Sequence, residues 1–437
     1  LLLFAVILII HGFGGSQFAP KNLSTLFVWV HYRGLLIFIV LLAGNLLCAG
    51  CPLVLARNLG RLWIKPIRHW PQQLRNKWVA IIFFIAVLFV YEWLDLWASP
   101  LGTAILISSF FVAILLVDLI FTNAAFCKYV CPVGQFNFLS AMLSPREVAV
   151  RNVDVCRSCK SLACLKGTEN LRGCELKLFV PKKAGNFDCT FCMDCERACP
   201  HQNVFIKSAV PGAYLYDRRV EESLSGLGQL WRRKDVGVLV VVFTFGALLN
   251  AFAMTAPAYH IQQSWARWSG IESESFALGM LFLLFLSPVV VLAVLNARGR
   301  LLQQANDLIH QVFIPALIPL GLGIWAAHYS FHFFTGIFTF VPVVWSLLHL
   351  PEVDASVWAG FPYGLPTRAV AVFQFGFLTL GFVGALIVAK KRTRDGEIFN
   401  GPRKFMIMGQ GALIAITLFA VWVFTLPMEM RGTFLGE

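Results

Sequence analysis

The hydrocarbon core of a bilayer takes about 20 apolar residues of helix to cross. The sequence offers such windows near 26–48, 78–97, 102–126, 236–254, 276–296, 312–334, 368–390 and 405–427. Across lipid, backbone N–H and C=O groups must be satisfied within the segment itself, so each window reads as a helix. A soluble core does not need this many uncharged runs. With 58% hydrophobic and 14% charged residues, the 437-residue chain is far more apolar than ordinary soluble domains. The run 1–11, within the opening LLLFAVILIIHGFG, reads as a ninth helix cut short. It carries neither a Met nor a basic leader, so further residues are expected upstream. The run 335–350 is too short and interrupted for a span and reads as a re-entrant or interfacial piece. The expectation is an all-α polytopic membrane protein of about eight or nine transmembrane helices.

Lys and Arg fall on alternate connections. Arg57, Arg61, Lys65, Arg68, Arg75 and Lys77 follow the first window, and Lys128, Arg146 and Arg151 follow the third. Arg232, Arg233 and Lys234 come next, then Arg298 and Arg300, then a group from Lys390 to Lys404. The opposite connections, 98–102 and 256–274, carry only Arg267. The positive-inside bias puts the basic connections in the cytoplasm. The net charge of +13 is therefore a topology signal, and no nucleic-acid partner is expected.

Residues 150–210 interrupt the apolar pattern and divide the chain into 1–149, 150–210 and 211–437. This insert holds eight of the 12 cysteines. Its second half, CTFCMDCERACP at 189–200, matches the bacterial ferredoxin run C-x2-C-x2-C-x3-C-P. Three close thiolates wrap three corners of a cubane, and the fourth turns away to the partner cluster. That reading gives Cys156, Cys159, Cys164 and Cys199 to one [4Fe–4S] cluster, and Cys174, Cys189, Cys192 and Cys195 to the other. The looser first half leaves open an exchange of roles between Cys164 and Cys174. Two structural zinc sites are the rival, but zinc ribbons favour separated C-x2-C pairs. Disulfides do not suit the reducing side of a membrane.

The remaining cysteines are Cys48 and Cys51 in NLLCAGCPLV, and Cys127 and Cys131 in AAFCKYVCPVG. Each pair precedes a proline at the cytoplasmic end of an expected span. Four thiols at one depth suit a metal or an additional iron–sulfur centre; dithiol–disulfide cycling and simple apolar packing are the alternatives.

These two proline-linked pairs, followed by the eight-cysteine insert, resemble the NapH/NosR-type membrane polyferredoxin family of 4Fe–4S proteins. Related features occur in the copper-handling CcoG proteins. The resemblance covers about residues 26–210, although the first pair here is C-x2-C-P where the family usually has C-x3-C-P. It implies an integral protein of the bacterial inner membrane with the insert on the cytoplasmic side. It also implies electron transfer between the quinol pool and a periplasmic respiratory enzyme or its maturation. The leading expectation is a subunit of a respiratory redox complex passing electrons between the quinone pool, or a haem partner, and the clusters. Two alternatives stand beside it: a copper reductase or assembly factor for a metalloenzyme, and a redox-sensing transporter with a discontinuous-helix site in 335–366.

Arg33 lies inside the first window, where Glu92 and Asp95 are its expected partners. Asp118, nearer the cytoplasmic end of the third, reads as a proton carrier or a helix-to-helix hydrogen-bonding group. His328 and His332 share a helix face at i, i+4, towards the outer side with His11, His31, His260 and His349. Such imidazoles suit haem b or copper, or simply the membrane interface. No C-x-x-C-H attaches a haem covalently, and no phosphate or dinucleotide fingerprint stands out. An electron-transfer subunit, rather than a stand-alone enzyme, is the expectation.

Overall fold

The computed structural model describes residues 1–216, 224–225, 228–230, 233–298, 309–348, 364–394 and 403–428. His349 and the whole 349–363 stretch lie outside the described residues.

Among these residues, seven helices are long and apolar enough to cross a membrane. They are Leu23–Ala43, Pro100–Ile120, Lys234–Phe252, Glu274–Asn296, Ile309–Thr335, Thr367–Thr393 and Ile407–Thr425. Two expected spans are shorter. Leu2–Gly14 has 13 residues and Trp78–Trp93 has 16. At 1.5 Å per residue, 16 residues reach about 24 Å, short of the hydrocarbon core. The 335–350 run contributes an eight-residue helix, Phe340–Leu347.

Lys234–Phe252 and Ile309–Thr335 form the centre, at 83% and 78% buried, whereas Pro100–Ile120 is 22% buried and faces outward. Central helices are apolar all round because neither face meets water. Close approach comes from small residues, as is common between membrane helices. A Cβ added at Gly323 would stand 2.7 Å from the Phe377 carbonyl oxygen and 2.9 Å from the Gly381 Cα.

Arg33 is met by aromatic rings rather than by Glu92 or Asp95. Its guanidinium carbon lies 4.4 Å from the Trp29 ring, 4.5 Å from Tyr91 and 5.2 Å from Tyr329. A Tyr91 hydroxyl at 3.3 Å adds a polar contact. Cation–π attraction grows when the cation is desolvated, which suits this setting. Glu92 instead accepts from Asn250 Nδ2 at 2.9 Å.

The insert is closed by an antiparallel pair of strands. β1, Arg146–Val150, runs beside β2, Val204–Ser208, with Arg146 opposite Ser208 and Val150 opposite Val204. Between them lie three short helices, Val153–Ser158, Ala163–Lys166 and Asp194–Arg197.

Candidate functional site

The twelve thiols fall into three groups of four. In the first, Cys156, Cys159, Cys164 and Cys199 line one cavity together with Pro200 and His201. Burial, reinforced by the charges Cys199, Cys156 and Cys159 would carry as thiolates, pushes the Cys164 thiol up to about 11. Cys159 sits at the surface and goes the other way, to about 7, because Ser161 and the Leu162 N–H stabilise its thiolate.

In the second group, Cys195 is surrounded by Cys189, Cys174 and Cys192, with Cys164 of the first group beyond. Burial drives the Cys192 thiol up to about 12 and Cys195 higher still. Four thiolates cannot share such a pocket without a positive core among them. The groups adjoin: the Cys174 N–H donates to the Cys164 carbonyl at 2.9 Å. Cys164 lines the cavity of the first group, and Cys174 lies within electrostatic reach of Cys195 in the second.

The backbone around these thiols is bent to point N–H groups inward. Leu162, Asp188, Phe191 and Met193 all have positive φ, between 48° and 61°. Non-glycine residues adopt that region rarely and at a cost. Successive N–H groups then form a concavity suited to negative charge. Asn203 Nδ2 lies 3.2 Å from Cys156 Sγ, the Asn203 N–H 3.4 Å from Cys199 Sγ, and the Leu178 N–H 3.4 Å from Cys174 Sγ. Sequence spacing gave no sign of Asn203, which lies outside the cysteine run.

The third group is Cys48, Cys51, Cys127 and Cys131. The spans stop before these residues, at Ala43 and Ile120. Each proline opens a further helix rather than ending one. Pro52–Gly60 and Pro132–Ser140 carry proline in their first turn, with Cys51 and Cys131 as the capping residues. Proline suits that position because its missing N–H would have no partner there. Cys131 Sγ accepts the Gly134 N–H at 3.2 Å. Asn137, on the second of these helices, donates to Cys48 Sγ at 3.2 Å, which ties the two pairs together. Cys48 is within electrostatic reach of Cys51 and Cys131, and Cys127 of Cys131 and Cys51.

A cavity of about 600 Å³ connects the second and third groups, with Cys48, Cys127, Cys174 and Cys192 on its walls. Buried ion pairs fasten the insert above it. Lys77 Nζ meets Asp188 Oδ1 at 2.5 Å, one residue before Cys189. Arg57 bridges Glu175 at 2.6 Å and Asp118 at 3.4 Å, one residue after Cys174. Asn45 Nδ2 donates to the Cys189 carbonyl at 2.9 Å. Asp118, fully buried, also accepts the Phe126 N–H at 2.8 Å, which places it in a structural lock.

Gly44 is the tightest point of this contact. Its φ of +75° and ψ of −149° belong to a region almost restricted to glycine. A Cβ there would stand 2.6 Å from the Phe191 ring. Gly44→Ala is predicted to cost about 1–3 kcal/mol in backbone strain. It should also displace Phe191, altering any spectroscopic signal of the second group while leaving the first unchanged. An unaltered spectrum and melting temperature would contradict this contact.

Among the described residues, no three His, Cys, Asp or Glu side chains converge closely enough to hold one metal ion. His328 and His332 lie side by side, ring centroids 5.2 Å apart, both 1% exposed on the central helix. His31 bonds the Leu26 and Ile337 carbonyls, and His11 Nδ1 accepts the Leu23 N–H at 3.3 Å.

No family model matches the chain. No solved structure matches it. Among curated proteins it is similar to the "Putative electron transport protein YccM" of Escherichia coli (strain K12), 33% identical over 102 residues. The match covers 23% of this chain, and the chain spans about a quarter (25%) of that relative's length.

Proposed function

We propose that this is a membrane-bound iron–sulfur electron-transfer protein, a subunit of a respiratory redox complex. The observation that carries the reading is the sorting of twelve cysteines into three adjoining groups of four. The likeness to a protein named for electron transport supports it. In this reading the first and second groups each hold a [4Fe–4S] cluster, and the third holds a further iron–sulfur centre. The donor set fits: all thiols, with N–H groups aimed at sulfur. Such clusters, when bound, supply one-electron couples whose potentials follow charge, burial and hydrogen bonds to sulfur.

The chain's own residues then have definite tasks. Asn203, Asn137 and the backbone N–H groups stabilise the thiolates. Lys77–Asp188 and Arg57–Glu175 hold the second group against the third. The helices exclude water, and the third group lies nearest the apolar spans, where quinone dissolves. Orientation follows the basic connections, with the insert in the cytoplasm of a bacterial inner membrane.

The test is reoxidation of the chemically reduced protein in lipid nanodiscs by a short-chain quinone, followed at the cluster absorbance. Cys131→Ser is predicted to slow reoxidation at least tenfold while the insert keeps its iron. Equal rates in the variant and the native chain would rule out the third group as the route to quinone.

A further inference from the structure

An electron relay needs a port at each end, and the surface over the first thiol group has the features of one. Cys159 is the ligand nearest solvent, with Sγ 3.4 Å from the exposed Ser161 hydroxyl. Arg151, Arg157, Lys160 and Lys166 all stand exposed on the segment that carries Cys156, Cys159 and Cys164. Arg157 is offset by Asp154 at 2.9 Å, both 77% exposed, a pairing of little consequence in water. Glu169, also exposed on this segment, offsets part of the rest, and a positive excess remains on Arg151, Lys160 and Lys166.

Membrane topology does not account for this basic face. The positive-inside bias acts through residues within about 15–20 of a span end. Here the preceding span ends at Ile120 and the next begins at Lys234, so Lys160 and Lys166 lie far outside that range.

We infer that the face formed by Arg151, Lys160 and Lys166 is the docking surface for a small acidic electron-carrier protein. This rests on the reading of Cys156, Cys159, Cys164 and Cys199 as an iron–sulfur ligand set. Opposed charge patches steer diffusional encounter and fix orientation, bringing the carrier's centre over Cys159. In each productive encounter the reduced carrier's centre loses one electron and the centre held by the first group gains it. No bond or proton changes hands.

The experiment uses the full chain in nanodiscs of zwitterionic lipid, with a reduced acidic [2Fe–2S] ferredoxin as probe, in anaerobic stopped flow. The bimolecular rate of cluster reduction should fall at least tenfold between about 10 mM and about 300 mM salt, as screening shortens the Debye length. Lys160→Glu/Lys166→Glu should lower the low-salt rate at least tenfold, and Lys160→Gln/Lys166→Gln several-fold. The viologen radical cation should reduce both variants as fast as the native chain or faster, which shows that the centres are intact. A ferredoxin rate indifferent to salt and to both substitutions would overturn the proposal. So would an unchanged rate combined with lost binding to anionic vesicles, which would make this face a lipid contact. A native chain without iron would instead sink the underlying cluster reading.

Discussion

Cys199→Ser is expected to remove the iron held with Cys156, Cys159 and Cys164, although Cys199 belongs by sequence to the other run. Cys195→Ser, four positions earlier, is expected to remove the other cluster. The reason is geometric: Cys199 lines the same cavity as Cys156, Cys159 and Cys164, while Cys195 faces Cys189, Cys174 and Cys192. Each variant should retain about four of the eight iron atoms that two cubanes contain. Iron and sulfide analysis, with electron paramagnetic resonance to identify the surviving signal, reads the result. If both variants lost the same signal, the crossed arrangement would be wrong.

Lys77→Met is expected to destabilise the fold by about 3–5 kcal/mol, the range for removing one partner of a buried ion pair. Lys77 is 0% exposed and Asp188 1%, at 2.5 Å. Burial alone would raise the Asp188 carboxyl; Lys77, Lys128 and Arg233 beside it hold it below its usual value. Lys77 is the largest of the charges that hold the anion, so the substitution strips a buried carboxyl of its main partner. Lys77→Met/Asp188→Leu should recover much of the loss, since an apolar pair of similar volume avoids the stranded charge. Thermal unfolding in detergent measures both variants. Equal stability of Lys77→Met and the native chain would show that the pair does not fasten the insert.

How much of this was readable in advance follows from the range of each signal. Apolar windows are local patterns, and seven of them coincide with helices long enough to cross, whereas 1–11 and 78–97 overestimated shorter helices. Helix ends were less legible. The windows ran on to 48 and 126, whereas the spans stop at Ala43 and Ile120, because apolar content continues past Gly44 and Phe121. The prolines after Cys51 and Cys131 looked like terminators yet begin new helices, a distinction that depends on what precedes them in space. Arg33 was assigned carboxylate partners from the outer end of the next span, but rings from its own helix and from two others surround it. Asn137, Asn203, Lys77–Asp188 and Arg57–Glu175 act across long sequence separations, where neither periodicity nor spacing carries information.

The central claim, that the cysteine groups hold iron–sulfur centres, is tested most directly by elemental analysis of the anaerobically purified chain. The account predicts about eight iron and about eight acid-labile sulfide per chain from the insert, with further iron from the third group. Zinc in stoichiometric amount, with no sulfide, would contradict it.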